Sequence, residues 1–201
     1  MMRRSTLHAA VIALALAASS SQAAWHVDSG QSSFSFTTAK AGMPGTSAVE
    51  EVQTFRQIGG SLADDGKLVF DVELASIETN IGLRNDRLKE LLFKVADNPK
   101  AVFTGSVDPR RLNALGVGAS LDMDVSGQLA LGGQSKPLTA SVRVVKLASD
   151  ALLVGTRVPI VVNLKDYGLQ DGVEALRAVM NLNVLASSAP VSFSVMMKPG
   201  R

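Results

Sequence analysis

The feature that most constrains this chain is a period of two. Leu121, Met123, Val125, Gly127, Leu129 and Leu131 alternate with Asp122, Asp124, Ser126, Gln128 and Ala130. Such a segment is a β-strand with one dry face and one wet face. Leu68, Phe70, Val72 and Leu74 repeat the pattern, as do Leu138, Ala140, Val142 and Val144 beyond a turn at Gly132–Lys136. Phe34 and Phe36 alternate with serines, and Val191, Phe193, Val195 and Met197 close the chain. Further strands are expected near Val49–Ile58, Ala101–Val107 and Leu152–Val162, which makes about eight in all.

Two stretches break the alternation. Leu88, Leu91, Leu92 and Val95 fall on one helical stripe, ended by Asp97-Asn98-Pro99, because proline disfavours helix at the residue before it. Val173, Leu176 and Met180 form a weaker stripe after Asp171-Gly172. The expected fold is therefore all-β and antiparallel, with one or two short helices packed on it. Eight strands with one apolar face leave exposed edges that template aggregation, and closure into a barrel removes them. A two-sheet sandwich shows the same alternation, so the pattern alone leaves both open.

The first 23 residues read differently. Arg3 and Arg4 precede an apolar run from Leu7 to Ala18, and Ser21-Gln22-Ala23 supplies small residues at the positions a signal peptidase reads. The run is short of the roughly 20 residues needed to cross a bilayer. The expectation is a cleaved signal over residues 1–23 and a single domain over 24–201, periplasmic or secreted and not membrane-spanning. Losing Arg3 and Arg4 leaves 18 basic against 18 acidic residues, too even for a nucleic-acid surface. The chain has no Cys, so stability comes from packing and thiol chemistry is excluded.

Catalytic constellations are missing from the sequence. His26 is the one histidine beyond the leader, too few for a usual zinc site. Asp122 and Asp124 share a strand face without a calcium-loop spacing. Gly116 and Gly118 have no helix behind them and read as a connection. The charges of Arg84–Lys89 would suit a phosphate, but Arg84, Asp86, Arg87 and Glu90 are spaced for pairs on a helix surface. No enzyme activity, cofactor or metal is expected.

The order Trp25-His26-Val27-Asp28, Ser33-Phe34-Ser35-Phe36, Ala75–Thr79, Arg84–Lys89, Leu92-Phe93, Asn98–Phe103, Gly127–Gly132 and Lys136-Pro137-Leu138 resembles the YceI-like family. The resemblance runs from about Trp25 to Met197. It implies an exported, lipocalin-like, eight-stranded antiparallel barrel. An apolar tunnel would hold a polyisoprenoid, an isoprenoid quinone or another long apolar lipid for transport, storage or sequestration. It also admits a homodimer. The tunnel lining is expected to include Phe36, Phe55, Phe70, Phe103, Met123, Val125 and Phe193, although a one-residue slip reverses any face. The alternative is an envelope-stress or protein-interaction barrel with a packed interior. The sequence departs from the family pattern at Ala39–Val49, a Gly/Pro-rich segment whose Gly42-Met43-Pro44-Gly45 is a candidate gate, and at Asp166–Asn183, a longer loop and helix.

Overall fold

A computed structural model of the chain describes residues 23–200. The leader expected over residues 1–23 lies outside them, apart from Ala23. The strands are β1 (Ala23–Ala41), β2 (Val49–Phe55), β3 (Ile58–Ala63), β4 (Lys67–Glu73), β5 (Ile77–Glu78) and β6 (Lys100–Ser106). They continue with β7 (Ser120–Leu131), β8 (Gln134–Ala148), β9 (Ala151–Thr156), β10 (Ile160–Asn163), β11 (Val184–Leu185) and β12 (Ser188–Pro199). The helices are α1 (Gly82–Arg87), which runs on into a π-helical turn at Leu88–Phe93, α2 (Pro109–Asn113) and α3 (Gln170–Val179).

The sheet is antiparallel and closes on itself. β1 pairs with β3 and β2 along one edge and with β12 along the other. The ring is continued by β3–β4, β4–β6, β6–β7, β7–β8, β8–β9 and β9–β12, with β10 also on β12, β5 on β2 and β11 on β1. β2 and β3 together fill one place in the ring, and β9 and β10 fill another. The ring therefore has the eight places the alternation predicts.

Two expected strands are interrupted. The segment Val49–Ile58 breaks at Arg56-Gln57, where β1 passes from one partner to the next through an irregularity between Asp28 and Ser33. Serines replace the ladder there. Ser29 Oγ accepts from Ile58 N at 3.3 Å, and Ser32 Oγ accepts from Met196 N at 2.9 Å while donating to Asp28 O at 2.6 Å. Such bulges bend a strand and let a sheet curl into a barrel. The segment Leu152–Val162 breaks at Arg157-Val158-Pro159. Beyond the bond from Arg157 N to Ser141 O, 2.9 Å, β8 and β10 share no ladder among the described residues.

The turn expected over Gly132–Lys136 is tighter than predicted. Leu131 pairs with Gln134, and Gly132 and Gly133 both have positive φ, 56° and 77°. This is the two-residue hairpin whose twist matches its strands. A Cβ on Gly132 would lie 2.8 Å from Leu169 Cδ2 and from Tyr167 O, so glycine is required twice over.

The two ends of the barrel differ. α2 spans the end where β6 finishes and β7 starts. Asp108 caps it by accepting from Arg110 N, with Pro109 in the first turn, a start signal present in the sequence. Its Leu112 is buried together with Leu62, Met123, Val144 and Leu152. α1, the π turn and α3 cover the other end. Gly172 lets α3 sit close on the π turn, since a Cβ there would meet Leu91 O at 2.7 Å and Leu92 Cα at 2.9 Å.

Leu152, 2% exposed at the packed end, is expected to lose about 2–5 kcal/mol on truncation to Ala. Val161→Ala, on the 63% exposed outer face of β10, is expected to stay within about 0.5 kcal/mol. Urea unfolding followed by circular dichroism checks both.

Candidate functional site

Alternation sends one residue in two toward the barrel axis, and that inner set encloses a cavity. It holds about 240 Å³ of space open to the centre of a water-sized sphere. A single water needs only ~10–15 Å³ on this measure, so the hollow is far larger than a packing defect. Thr38 and Ser188 are the only polar residues in its wall among the described residues.

All seven phenylalanines of the chain line the cavity. Phe34 is the hub, with ring centroids 5.9 Å from Phe55, 6.1 Å from Phe70 and 6.4 Å from Phe193. Phe55 is also 5.5 Å from Phe36 and 5.9 Å from Phe93. These separations suit edge-to-face and offset contacts. Phe103 lies against the wall. Two inward glycines, Gly105 and Gly127, face each other across the β6–β7 ladder. A Cβ on Gly127 would lie 2.6 Å from Phe103 Cζ and 2.2 Å from Thr104 O. The glycines thus leave room for the ring to lie flat and the lumen to stay open.

Of the seven residues named from sequence, Phe36, Phe55, Phe70, Phe103, Val125 and Phe193 are in the wall. Met123 is not. It is buried one inward position nearer α2, where Leu62, Leu112 and Val144 are also buried and also outside the wall. Two phenylalanines were missed. Phe34 shares a face with Phe36 two residues on, a signal the period of two contains. Phe93 falls off the helical stripe, because the π turn rotates it inward beside Leu92, and both are buried. The helix ends at Lys94, in the left-handed region at φ 49°, ahead of the expected stop. Leu88, Leu91 and Val95 pack on the core half-buried, while Val173 and Leu176 are buried as their stripe predicts.

The expected helix-surface pairing of Arg84 does not form. Its Nη1 donates to Glu51 Oε2 on β2 at 2.7 Å, and its Nη2 donates to Thr79 O at 2.6 Å. Lys40 Nζ lies 2.9 Å from the same Glu51 oxygen. Asn85 Oδ1 accepts from Thr79 Oγ1 and Thr79 N, at 2.6 and 2.9 Å. Together these contacts tie α1 to the wall. Burial alone would raise the Glu51 carboxyl, but hydrogen bonding from Lys40 and the charges of Arg84 and Lys40 hold it below the usual range.

Outside the cavity, the polar residues do structural work. His26 is exposed on β1. Asp122 accepts from Arg143 at 2.7 and 2.9 Å, and Arg157 lies 3.1 Å away, a solvated network on the outer face. Among the described residues, no group of three His, Cys, Asp or Glu is placed to hold a metal. No helix among them is long and apolar enough to cross a membrane. Gly42–Gly45 forms an exposed turn between β1 and β2, with Met43 68% exposed.

A closed eight-stranded antiparallel barrel with helices over one end and an apolar hollow is a lipocalin-like architecture. The chain belongs to the YceI-like family, whose domain it matches over residues 25–197. A domain from Saccharophagus degradans, described as polyisoprenoid-binding and implicated in plant cell wall breakdown, is 28% identical. The similarity has a TM-score of 0.83 and covers 88% of this chain and 99% of that one. BcnA of Burkholderia cenocepacia shares the fold at 16% identity and a TM-score of 0.61, over 85% of this chain and 98% of that one. No curated protein matches the sequence.

Two outcomes are expected. Met123→Trp overfills the packed end and destabilises by about 1–3 kcal/mol, whereas Val125→Trp, entering the hollow, costs less. Denaturant midpoints compare them. The depressed folded pKa of Glu51 contributes stability that is complete above the ordinary glutamate value of 4.5 and is lost as pH falls through the folded value. Protection of residues 82–93 against hydrogen exchange should therefore fall on acidification, and Glu51→Gln should remove that acid step.

Proposed function

We propose that this protein is an exported, non-enzymatic carrier that holds a long apolar lipid, of the polyisoprenoid or isoprenoid-quinone type, inside its barrel. The observation that carries this reading is the hollow walled by all seven phenylalanines with almost no polar surface. Burial of an apolar chain at ~25 cal/mol per Å² removed from water supplies the driving force without directional groups. A hydrolytic or redox site needs convergent polar groups, and the wall offers two hydroxyl residues. The Saccharophagus relative, a polyisoprenoid-binding domain by description, supports the ligand class. The basic, apolar and small-residue order of residues 1–23 supports export and a working chain that begins at Ala24.

Native mass spectrometry of protein recovered from the periplasm or medium tests the proposal. The expected result is a chain starting at Ala24 with a co-purifying apolar lipid. The delipidated protein should take up a fluorescent polyprenyl analogue, and Val125→Trp should lose that uptake. Absence of lipid together with no uptake by the unmodified protein would sink the carrier reading. The same spectrum reports whether the carrier is one chain or a homodimer.

A further inference from the structure

The inner face of the β1–β2 ladder changes character toward the helical end. Phe34 lies opposite Phe55, Phe36 opposite Gln53, Thr38 opposite Glu51, and Lys40 opposite Val49. Directly opposed residues share a face. The face that starts among aromatic rings therefore ends in a hydroxyl, an amide, a carboxylate and an ammonium. The cavity reaches Thr38, and it reaches Leu88 one helical turn beyond Arg84.

Charge does not balance there. Lys40 and Arg84 share one oxygen of Glu51, at 2.9 and 2.7 Å, so two cations meet a single carboxylate. The Arg84 side chain is only 13% exposed. Its Nε is shut off from water and has no hydrogen-bond partner, and a buried donor is costly to leave unmatched. A net positive, donor-rich cluster at the end of an oily hollow is complementary to an anion fixed to an apolar tail.

We propose that Lys40, Arg84 and Thr38 form a head-group site for the phosphate or diphosphate end of a prenyl chain. This rests on the lipid-carrier reading and specifies its ligand. Lys40 supplies a mobile charge, Arg84 supplies fixed donors, and Thr38 marks where the tail gives way to the head. Glu51 holds both cations in place and tempers their charge.

The test compares geranylgeranyl monophosphate with geranylgeraniol, each displacing a fluorescent polyprenyl analogue from the delipidated full-length protein. The tail is the same, so the affinity ratio isolates the head group and cancels any change in how firmly α1 is held. The unmodified protein is expected to prefer the phosphate by ~10-fold or more, the scale of one charge-assisted hydrogen bond. Lys40→Gln should bring the ratio toward unity, and Glu51→Gln, which removes the competing carboxylate, should widen it. Equal binding of phosphate and alcohol by the unmodified protein, or an unchanged ratio in Lys40→Gln, overturns the head-group site while leaving the carrier reading intact. Failure of both ligands to displace the bound analogue likewise overturns the head-group site, and failure of the analogue itself to bind overturns the carrier reading.

Discussion

The structure depends on the closure of β1 onto β12. Once that ladder forms, every main-ring strand has a neighbour on each side over at least part of its length, and the pleat sorts side chains between inside and outside. The period of two then stops being a local preference and becomes a partition. Most large apolar side chains turn toward the axis, and charged ones such as Asp122, Arg143 and Arg157 gather on the outer face. The bulge in β1 is part of the same device. A straight strand would keep one partner on each edge, whereas the break at Asp28–Ser33 falls where β1 passes from β3 to β2 on one edge while β12 stays paired along the other.

Much of this was legible in the residues. An antiparallel, all-β fold of about eight strands is legible in the spacing, while closure into a barrel and the tunnel came with the family resemblance. What the spacing could not carry was depth along the barrel axis. Met123 and Val125 are equivalent in the alternation, yet one is packed near Leu112 and the other borders the hollow. That difference is set by α2, whose Asp108-Pro109 start is a local signal but whose position over the barrel end is a tertiary fact. Phe93 was hidden for another reason. A stripe drawn at 3.6 residues per turn assumes a regular helix, and the wider turn at Leu88–Phe93 moves the inward direction by a residue. Arg84 was hidden because its partner, Glu51, is 33 positions away in sequence, beyond any helical spacing rule.

The asymmetry of the ends follows from how each is closed. The α2 end is filled by side chains from several strands and one short helix, among them the buried Leu62, Leu112, Met123, Val144 and Leu152. The helical end is closed by a cover that meets the wall through Leu88, Leu92, Phe93, Val173 and Leu176 on its apolar side and through Glu51, Arg84 and Thr79 on its polar side. Ion pairs as shielded as Arg84–Glu51 offset their attraction with a desolvation cost and so contribute modestly to stability. They fix orientation well, so they set where the cover sits more than how firmly the barrel holds.

The hollow of about 240 Å³ is bounded by aromatic rings and by aliphatic side chains of the inner face. Six of the rings pack on one another around Phe34 and Phe55, and Phe103 lies over Gly105 and Gly127. The same rings that shape the hollow make it complementary to an apolar chain, since burial against an apolar wall needs no directional groups. Stability and binding therefore draw on one surface, and the alternation that builds the barrel is also what prepares it for its occupant.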